Sequence, residues 1–266
     1  MFRHASLQCA ALVVACFTNL ASAQTAPAGA KAAEPYEPRS GQQGKDVVWV
    51  PTPQVVVDKM LEIARVTPQD MVIDLGSGDG RTVITAAKLG ARALGIEYNP
   101  DMVEYSKRAA VAAGMTARAT FVKADLFETS FAVATVLTMF LLPDINLKLR
   151  PKIFELKPGT RIVSNTFTMS EWKPDAEADL FGQPGCNISY CRVLQWVPQK
   201  VEGEYKVAQG ELSLKQEFQM LTGTLKQGTT TLNLTGRVYG EDIILTAGSK
   251  QYRGRLAGGK LELREP

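Results

Sequence analysis

The sequence predicts an α/β chain, a doubly wound parallel sheet followed by a small antiparallel β domain. Two observations lead there. From Met71 onward short apolar runs alternate with amphipathic helical stretches, as βαβ units require. Past Trp196 the helical period disappears, and leucines recur at every second position between glycine-rich turns.

The elements follow in order. Thr52-Pro53 has the form of an N-cap followed by a first-turn proline, and Val56, Val57, Met60, Leu61 and Ala64 share one helical face, so a helix is expected over Pro53–Arg65. Met71–Leu75 reads as a strand, Arg81–Lys88 as a helix stopped at Gly90, and Ala93–Glu97 as the next strand. Asn99-Pro100-Asp101 supplies a cap, a proline and a first-turn acid for a helix reaching Ala113. Thr120–Lys123, Ala132–Leu141 and Arg161–Ser164 are further strands, and Ile145–Leu156 is helical in pattern despite Pro151. Leu212/Leu214, Leu232/Leu234 and Leu261/Leu263 mark the tail as a meander or small barrel, with a turn at Gly258-Gly259. The domain limits expected are residues 47–196 and 197–266.

The start is different. Arg3 and His4 precede an apolar run from Ala10 to Phe17, and Ala21-Ser22-Ala23 is a small-x-small pattern before Gln24. Residues 1–23 read as a secretory signal peptide, which makes the protein exported and periplasmic. Val13-Val14-Ala15-Cys16 also loosely resembles a lipobox that would anchor the chain to a membrane through Cys16, and the scarcity of acids would suit an organelle-targeting peptide, which the low arginine content disfavours. Residues 24–46, rich in Ala, Pro, Gly and Gln, read as a flexible linker.

Composition excludes much chemistry. His4 is the only histidine among 266 residues, so a cleaved chain has none, and Ser-His-Asp, Cys-His and His-ligated zinc machinery are excluded. A formal net charge of +3, with 30 Lys+Arg against 27 Asp+Glu, argues against a broad nucleic-acid surface. No ligand cluster for a metal stands out, and no segment after the leader approaches the roughly 20 apolar residues of a membrane span.

The chemistry concentrates in Asp74-Leu75-Gly76-Ser77-Gly78-Asp79-Gly80, between a strand and a helix. Glycines let backbone approach a ligand, and the following helix offers unpaired N–H groups. The spacing is G-x-G-x-G rather than the G-x-G-x-x-G of dinucleotide folds, and flanking aspartates would repel a pyrophosphate. They suit a ligand that carries positive charge and no phosphate. Glu97, ending the next strand, is placed to accept from ribose hydroxyls.

Through Asp74–Gly80, Glu97 and Asp125 the sequence resembles the class I S-adenosylmethionine-dependent methyltransferases. More narrowly, Trp49-Val50-Pro51-Thr52-Pro53, Asp74–Arg81, Phe140-Leu141-Leu142-Pro143 and Leu147-Lys148-Leu149-Arg150-Pro151 resemble the ATP synthase c subunit lysine methyltransferase family, itself similar to Dot1-type enzymes. The resemblance covers about Val47 to Trp196. It implies a Rossmann-like methyltransferase sheet, S-adenosylmethionine as cofactor, and a lysine side chain of a protein as substrate. Gly76, Ser77, Gly78 and Gly80 would form the cofactor turn, Asp74 and Asp79 would face its ammonium, and Glu97 its ribose. Asp125 beside Leu126 would accept from the adenine amino group, and Pro51, Thr52 and Pro53 would close over the methionine end. Structural roles stand beside these: Thr52 as a helix cap, Asp125 as a turn cap, Glu97 as a solvated strand end.

For the reaction itself, Thr138, Phe140, Pro143 and Asp144 follow the fourth strand, where an acceptor would approach. Asp144 is the candidate to orient or deprotonate an amine, or else it caps the helix that begins at Ile145. Phe140-Leu141-Leu142-Pro143 stands where enzymes acting on nucleic-acid bases or glutamine carry an Asn-Pro-Pro-Tyr-type run. Trp172, Tyr190 and Trp196 are either an aromatic channel or core packing. Cys186 and Cys191 are too far apart on one extended strand to bridge, so a disulfide requires a turn between them. A nicotinamide-dependent oxidoreductase and a non-catalytic binding protein remain as alternatives to a methyltransferase.

Overall fold

The computed structural model describes Met1 and residues 35–187, 189–257 and 259–265. The leader, the lipobox cysteine Cys16, residues 24–34 of the expected linker and Gly258 of the expected turn lie outside the described residues.

Order begins before Val47. Among residues 36–49, Gly41 donates to the Trp49 carbonyl at 2.7 Å, Trp49 donates back to Gln42 at 2.8 Å, and Arg108 donates to the Tyr36 carbonyl at 2.7 Å. Composition alone made this stretch look like linker; its backbone groups find partners in a turn of its own and on a helix far along the chain.

Seven strands form one sheet in the order β3-β2-β1-β4-β5-β7-β6. Strands β1 (Met71–Leu75), β2 (Arg92–Glu97), β3 (Ala119–Lys123), β4 (Val136–Met139) and β5 (Arg161–Asn165) run parallel, and β7 (Arg192–Trp196) and β6 (Ala176–Asp179) run antiparallel at one edge. The strand order reverses between β1 and β4, and in such sheets ligands bind outside the carboxyl ends at that switch point. Helices α1 (Gln54–Ile63), α2 (Arg81–Lys88), α3 (Pro100–Ala112) and α4 (Pro143–Phe154) complete this part. Burial explains the apolar runs: Val72, Ile73 and Leu75 of β1 are wholly inaccessible, as expected of a strand covered on both faces.

Several boundaries differ from expectation. The N-cap of α1 is Pro53, without a side-chain cap, so Thr52 is not the cap. Helix α4 starts two residues early: Leu142 is its N-cap and Asp144 lies in its first turn, because Pro143 is already held at a helical φ. Strand β4 is shorter than Ala132–Leu141, since Ala134 closes a turn onto the Phe131 carbonyl. Pro151 removes one donor from α4, yet the helix continues to Phe154 with Leu149 and Ile153 buried. Strand β6, with the alternating Ala176-Glu177-Ala178-Asp179, carried no apolar signal at all. The Asn99 cap is as expected, accepting from Asp101 at 2.9 Å and Met102 at 3.4 Å.

The second sheet is a seven-stranded antiparallel meander, β8 (Gly203–Val207) to β14 (Lys260–Arg264), each strand bonded to its neighbours in sequence. Leu212, Leu214, Ile243, Leu245 and Tyr252 fill its core. The turn between β9 (Gly210–Glu217) and β10 (Met220–Gln227) inserts Phe218 against the first domain, stacked on Trp172 at 5.9 Å and edge-on to Phe154 at 5.8 Å. Arg237 adds a bond to the Pro174 carbonyl at 3.1 Å. Among the described residues no helix is long and apolar enough to cross a membrane.

Candidate functional site

The turn after β1 is set by left-handed glycines, with φ of +72° at Gly76, +54° at Gly78 and +80° at Gly80. Gly78 is also confined by space: a Cβ there would lie 2.4 Å from Nε1 of Trp49. Gly76 and Ser77 donate to the Ile96 carbonyl at 2.9 and 3.1 Å, and the Gly78 carbonyl accepts from the buried Ser106 hydroxyl at 2.9 Å. The turn is therefore fixed before any ligand arrives.

Glu97 bonds the same turn. Its two carboxylate oxygens accept from the Gly78 and Asn99 backbone N–H groups, each at 2.9 Å. Each oxygen keeps a further lone pair for a ribose hydroxyl. Asp74 is 6% exposed, and Thr138 donates to its Oδ1 at 2.6 Å. Burial, reinforced by the nearby charges of Asp79 and Glu97, pushes the Asp74 carboxyl up to about 7, against the opposing Thr138 bond. A cationic partner would relieve that penalty. Asp79 is already engaged, since Arg81 holds both its oxygens at 2.6–3.1 Å and reaches the Thr52 carbonyl at 2.9 Å. The carboxylate left for an ammonium is that of Asp74.

Two adjoining cavities meet at Gly76, Trp49 and Phe140. The larger, about 190 Å³, is lined by Lys45–Val50, Ile96, Glu97, Tyr98, Asp125 and Leu126 at one end and by Phe140, Leu142, Ile145, Phe167 and Tyr190 at the other. The smaller is lined by Pro51, Thr52, Asp74, Ser77, Asp79 and Arg81. Pro53 opens α1 beside it. Asp125 does cap a turn, accepting from Phe127 N–H at 2.9 Å through Oδ1. Its Oδ2 accepts from Lys45 at 2.5 Å, which holds the Asp125 carboxyl below its ordinary range. The Lys45 ammonium lies 4.8 Å from the Tyr98 ring centre.

At the opposite end three rings form an open cage. Phe140 and Phe167 are stacked at 5.8 Å, and Tyr190 is tilted against them at 5.4 and 5.9 Å. Trp172 and Trp196 do not belong to it. Both are buried, and Trp196 Nε1 donates to the Trp172 carbonyl at 2.7 Å, so of the three aromatics considered in the sequence only Tyr190 faces the cavity. Cys186 and Cys191 form a disulfide with Cα atoms 5.9 Å apart, closer than two residues at that sequence separation could lie on one extended strand.

The proposed reaction residues fall elsewhere. Thr138 is wholly buried and spends its hydroxyl on Asp74, so it supports a carboxylate rather than lining the acceptor side. Asp144 is exposed on the first turn of α4 and is absent from the lining of both cavities, where Leu142 and Ile145 appear. Residues missed by sequence reasoning are Lys45, Tyr98 and Phe167; none lies in a local pattern that marks it. Trp49 stood in the quoted Trp-Val-Pro-Thr-Pro run without an assigned role.

The donor set fits S-adenosylmethionine. Glu97 would hold the ribose, Asp125 the adenine amino group once Lys45 leaves it, and Asp74 the ammonium; Ser77 lines the smaller cavity, and its buried hydroxyl, which lies against Gly95, has no partner among the described residues. Among the described residues no cluster of His, Cys, Asp or Glu would hold a metal.

The chain is similar to known methyltransferases. The family profile of the ANTKMT methyltransferase domain matches residues 74–176. A protein-lysine N-methyltransferase of Saccharolobus islandicus is 48% identical over 131 residues, covering 48% of this chain and 81% of that protein. The ATP synthase c subunit lysine N-methyltransferase of Rattus norvegicus is 36% identical over 151 residues, covering 56% of this chain and 63% of that protein. A solved structure of an RNA methyltransferase from Salinibacter ruber in complex with S-adenosyl-L-homocysteine is 46% identical, with a TM-score of 0.53, covering 57% of this chain and 96% of that one.

Proposed function

The chain belongs to the ANTKMT-type family of S-adenosylmethionine-dependent methyltransferases, and we propose that its methyl acceptor is a lysine side chain of a protein. The observation that carries this reading is the three-ring cage of Phe140, Phe167 and Tyr190, which opens onto the same cavity as the cofactor residues.

When bound, the cofactor supplies an electrophilic methyl group on a sulfonium. The chain supplies position and environment. Asp74 would anchor the cofactor's ammonium through charge and Glu97 its ribose through hydrogen bonds, and Phe140, lining both cavities, stands between them and the acceptor side. An incoming ammonium meets ring faces, which attract cations. As the amine loses water among Leu142, Ile145 and the rings, its neutral form is favoured, and the neutral form is the nucleophile. No histidine is needed to remove the proton. The name of the Salinibacter ruber protein raises RNA as an acceptor, but a bare aromatic cage and a net charge of +3 supply little for a polyanion.

The test is to incubate the full-length protein with methyl-tritiated S-adenosylmethionine, a panel of basic proteins and total RNA, and then hydrolyse both fractions. Label in N-methyllysine is expected. Label confined to nucleosides would replace this reading with an RNA acceptor.

We also propose that the protein acts after export. The Arg3–Ala23 pattern and the Cys186–Cys191 bridge, a linkage that persists in oxidising compartments, support it. The native protein is then expected to begin at Gln24 on N-terminal sequencing; a retained Met1 or a lipid on Cys16 would contradict simple export.

A further inference from the structure

The cage is built unevenly. Phe140 follows β4 directly, and Phe167 is placed by side chains that bond its backbone, since its carbonyl accepts from the Ser164 hydroxyl at 2.8 Å and from the Asn146 side-chain amide at 3.2 Å. Among the described residues Tyr190 has no such support. It lies in the connection between β6 and β7, whose backbone bonds sit at its two ends: Gly182 N–H to Cys186 and Cys186 N–H to Gln183 at one, Leu180 N–H to Cys191 at the other. Among the described residues none involves Asn187, Ser189 or Tyr190. What crosses that interval is the covalent bridge, whose two cysteines are buried at 0% and 2% exposure in the core beneath α1.

We propose that the Cys186–Cys191 disulfide is a positioning element of the acceptor site, which fixes Tyr190 as the third wall of the cage and so sets affinity for the acceptor's cationic side chain. This rests on the lysine-acceptor reading. The bridge fastens the residue next to Tyr190 to the core, so the ring loses freedom before an acceptor arrives, and binding no longer has to supply that ordering. The cofactor residues lie on other elements and do not depend on it.

The test uses the full-length protein and n-butyltrimethylammonium as a probe for the cage, titrated in the presence of saturating S-adenosylhomocysteine. The oxidised protein is expected to bind the probe, with affinity about tenfold weaker in Tyr190→Ala and within about twofold in Tyr190→Phe. The double variant Cys186→Ala/Cys191→Ala, and the wild type after reduction with thiol counting to verify it, are expected to match Tyr190→Ala while S-adenosylhomocysteine affinity stays within about twofold. That cofactor measurement separates loss of the clamp from loss of the fold, and the reduced wild type serves where the double variant fails to fold. Equal probe affinity with and without the bridge would overturn the clamp alone. No probe binding to the oxidised protein would overturn the cage, and the clamp with it, whereas label in nucleosides would overturn the acceptor reading on separate grounds.

Discussion

The two ends of the cavity handle cations by different means. At the cofactor end the attraction to the ammonium is ionic, through Asp74 of β1, while Glu97 and Asp125, at or just after the ends of β2 and β3, would accept from neutral groups of the cofactor; each carboxylate is fixed by a hydrogen bond. At the acceptor end it comes from ring faces, on three segments that are distant in sequence. A carboxylate holds an ammonium firmly and keeps it charged. Rings attract the ammonium without fixing its proton, which is what an acceptor amine requires before it can react. The difference teaches that the site separates the cation it must retain from the cation it must discharge.

Exchanging Asp74 for Asn should have the largest effect. Asp74→Asn is expected to weaken S-adenosylhomocysteine binding by about a hundredfold in calorimetry, the scale of a lost charged hydrogen bond. Stability should move the other way. The buried carboxyl ionises near 7 when folded and near its ordinary 3.8 when unfolded, so the stability it contributes is full below about pH 4 and is lost as pH rises through 7. The Asn variant lacks that slope, and its melting temperature at pH 8 should not fall below that of the wild type.

Gly78→Ala comes next. Its Cβ would collide with Trp49 at a positive φ, so the expected result is about tenfold weaker cofactor binding with a lowered melting temperature. Phe167→Ala should act on the other end alone, raising acceptor KM about tenfold and leaving S-adenosylhomocysteine affinity unchanged. The smallest effect is expected from Lys45→Ala. Removing the ammonium that occupies Asp125 frees a cofactor acceptor, and affinity should improve by about threefold, less at high salt.

The contrast also explains what the sequence made legible. Asp74 to Gly80 is one strand end, one turn and one helix start, so its spacing states its geometry; Glu97 follows at the end of the next strand by the same logic. The parallel sheet was readable because short apolar runs alternate with amphipathic helical stretches from Met71 onward. The cage was not readable. Phe140, Phe167 and Tyr190 meet only because β4 and β5 pair and the chain then returns through antiparallel β7, whose partner β6 alternates alanine with acidic residues and carries no large apolar side chain. Asp144 misled for a related reason: an acid before an apolar helical stretch reads as a cap or a base, and Pro143 started the helix early enough to turn it to solvent. Lys45 was hidden by composition, since the Pro and Gly content around it suggested a linker while its side chain reaches a carboxylate 80 residues away.

The separation of the two ends can be measured in one experiment, the affinity of S-adenosylhomocysteine at pH 6, 7 and 8 for the wild type, Asp74→Asn and Phe167→Ala. Because Asp74 must be ionised to hold the ligand's ammonium, wild-type affinity should rise about tenfold across that range. Asp74→Asn should bind weakly with no rise, and Phe167→Ala should superimpose on the wild type. A flat wild-type profile, or a Phe167→Ala profile displaced from it, would contradict the division between a carboxylate end and an aromatic end.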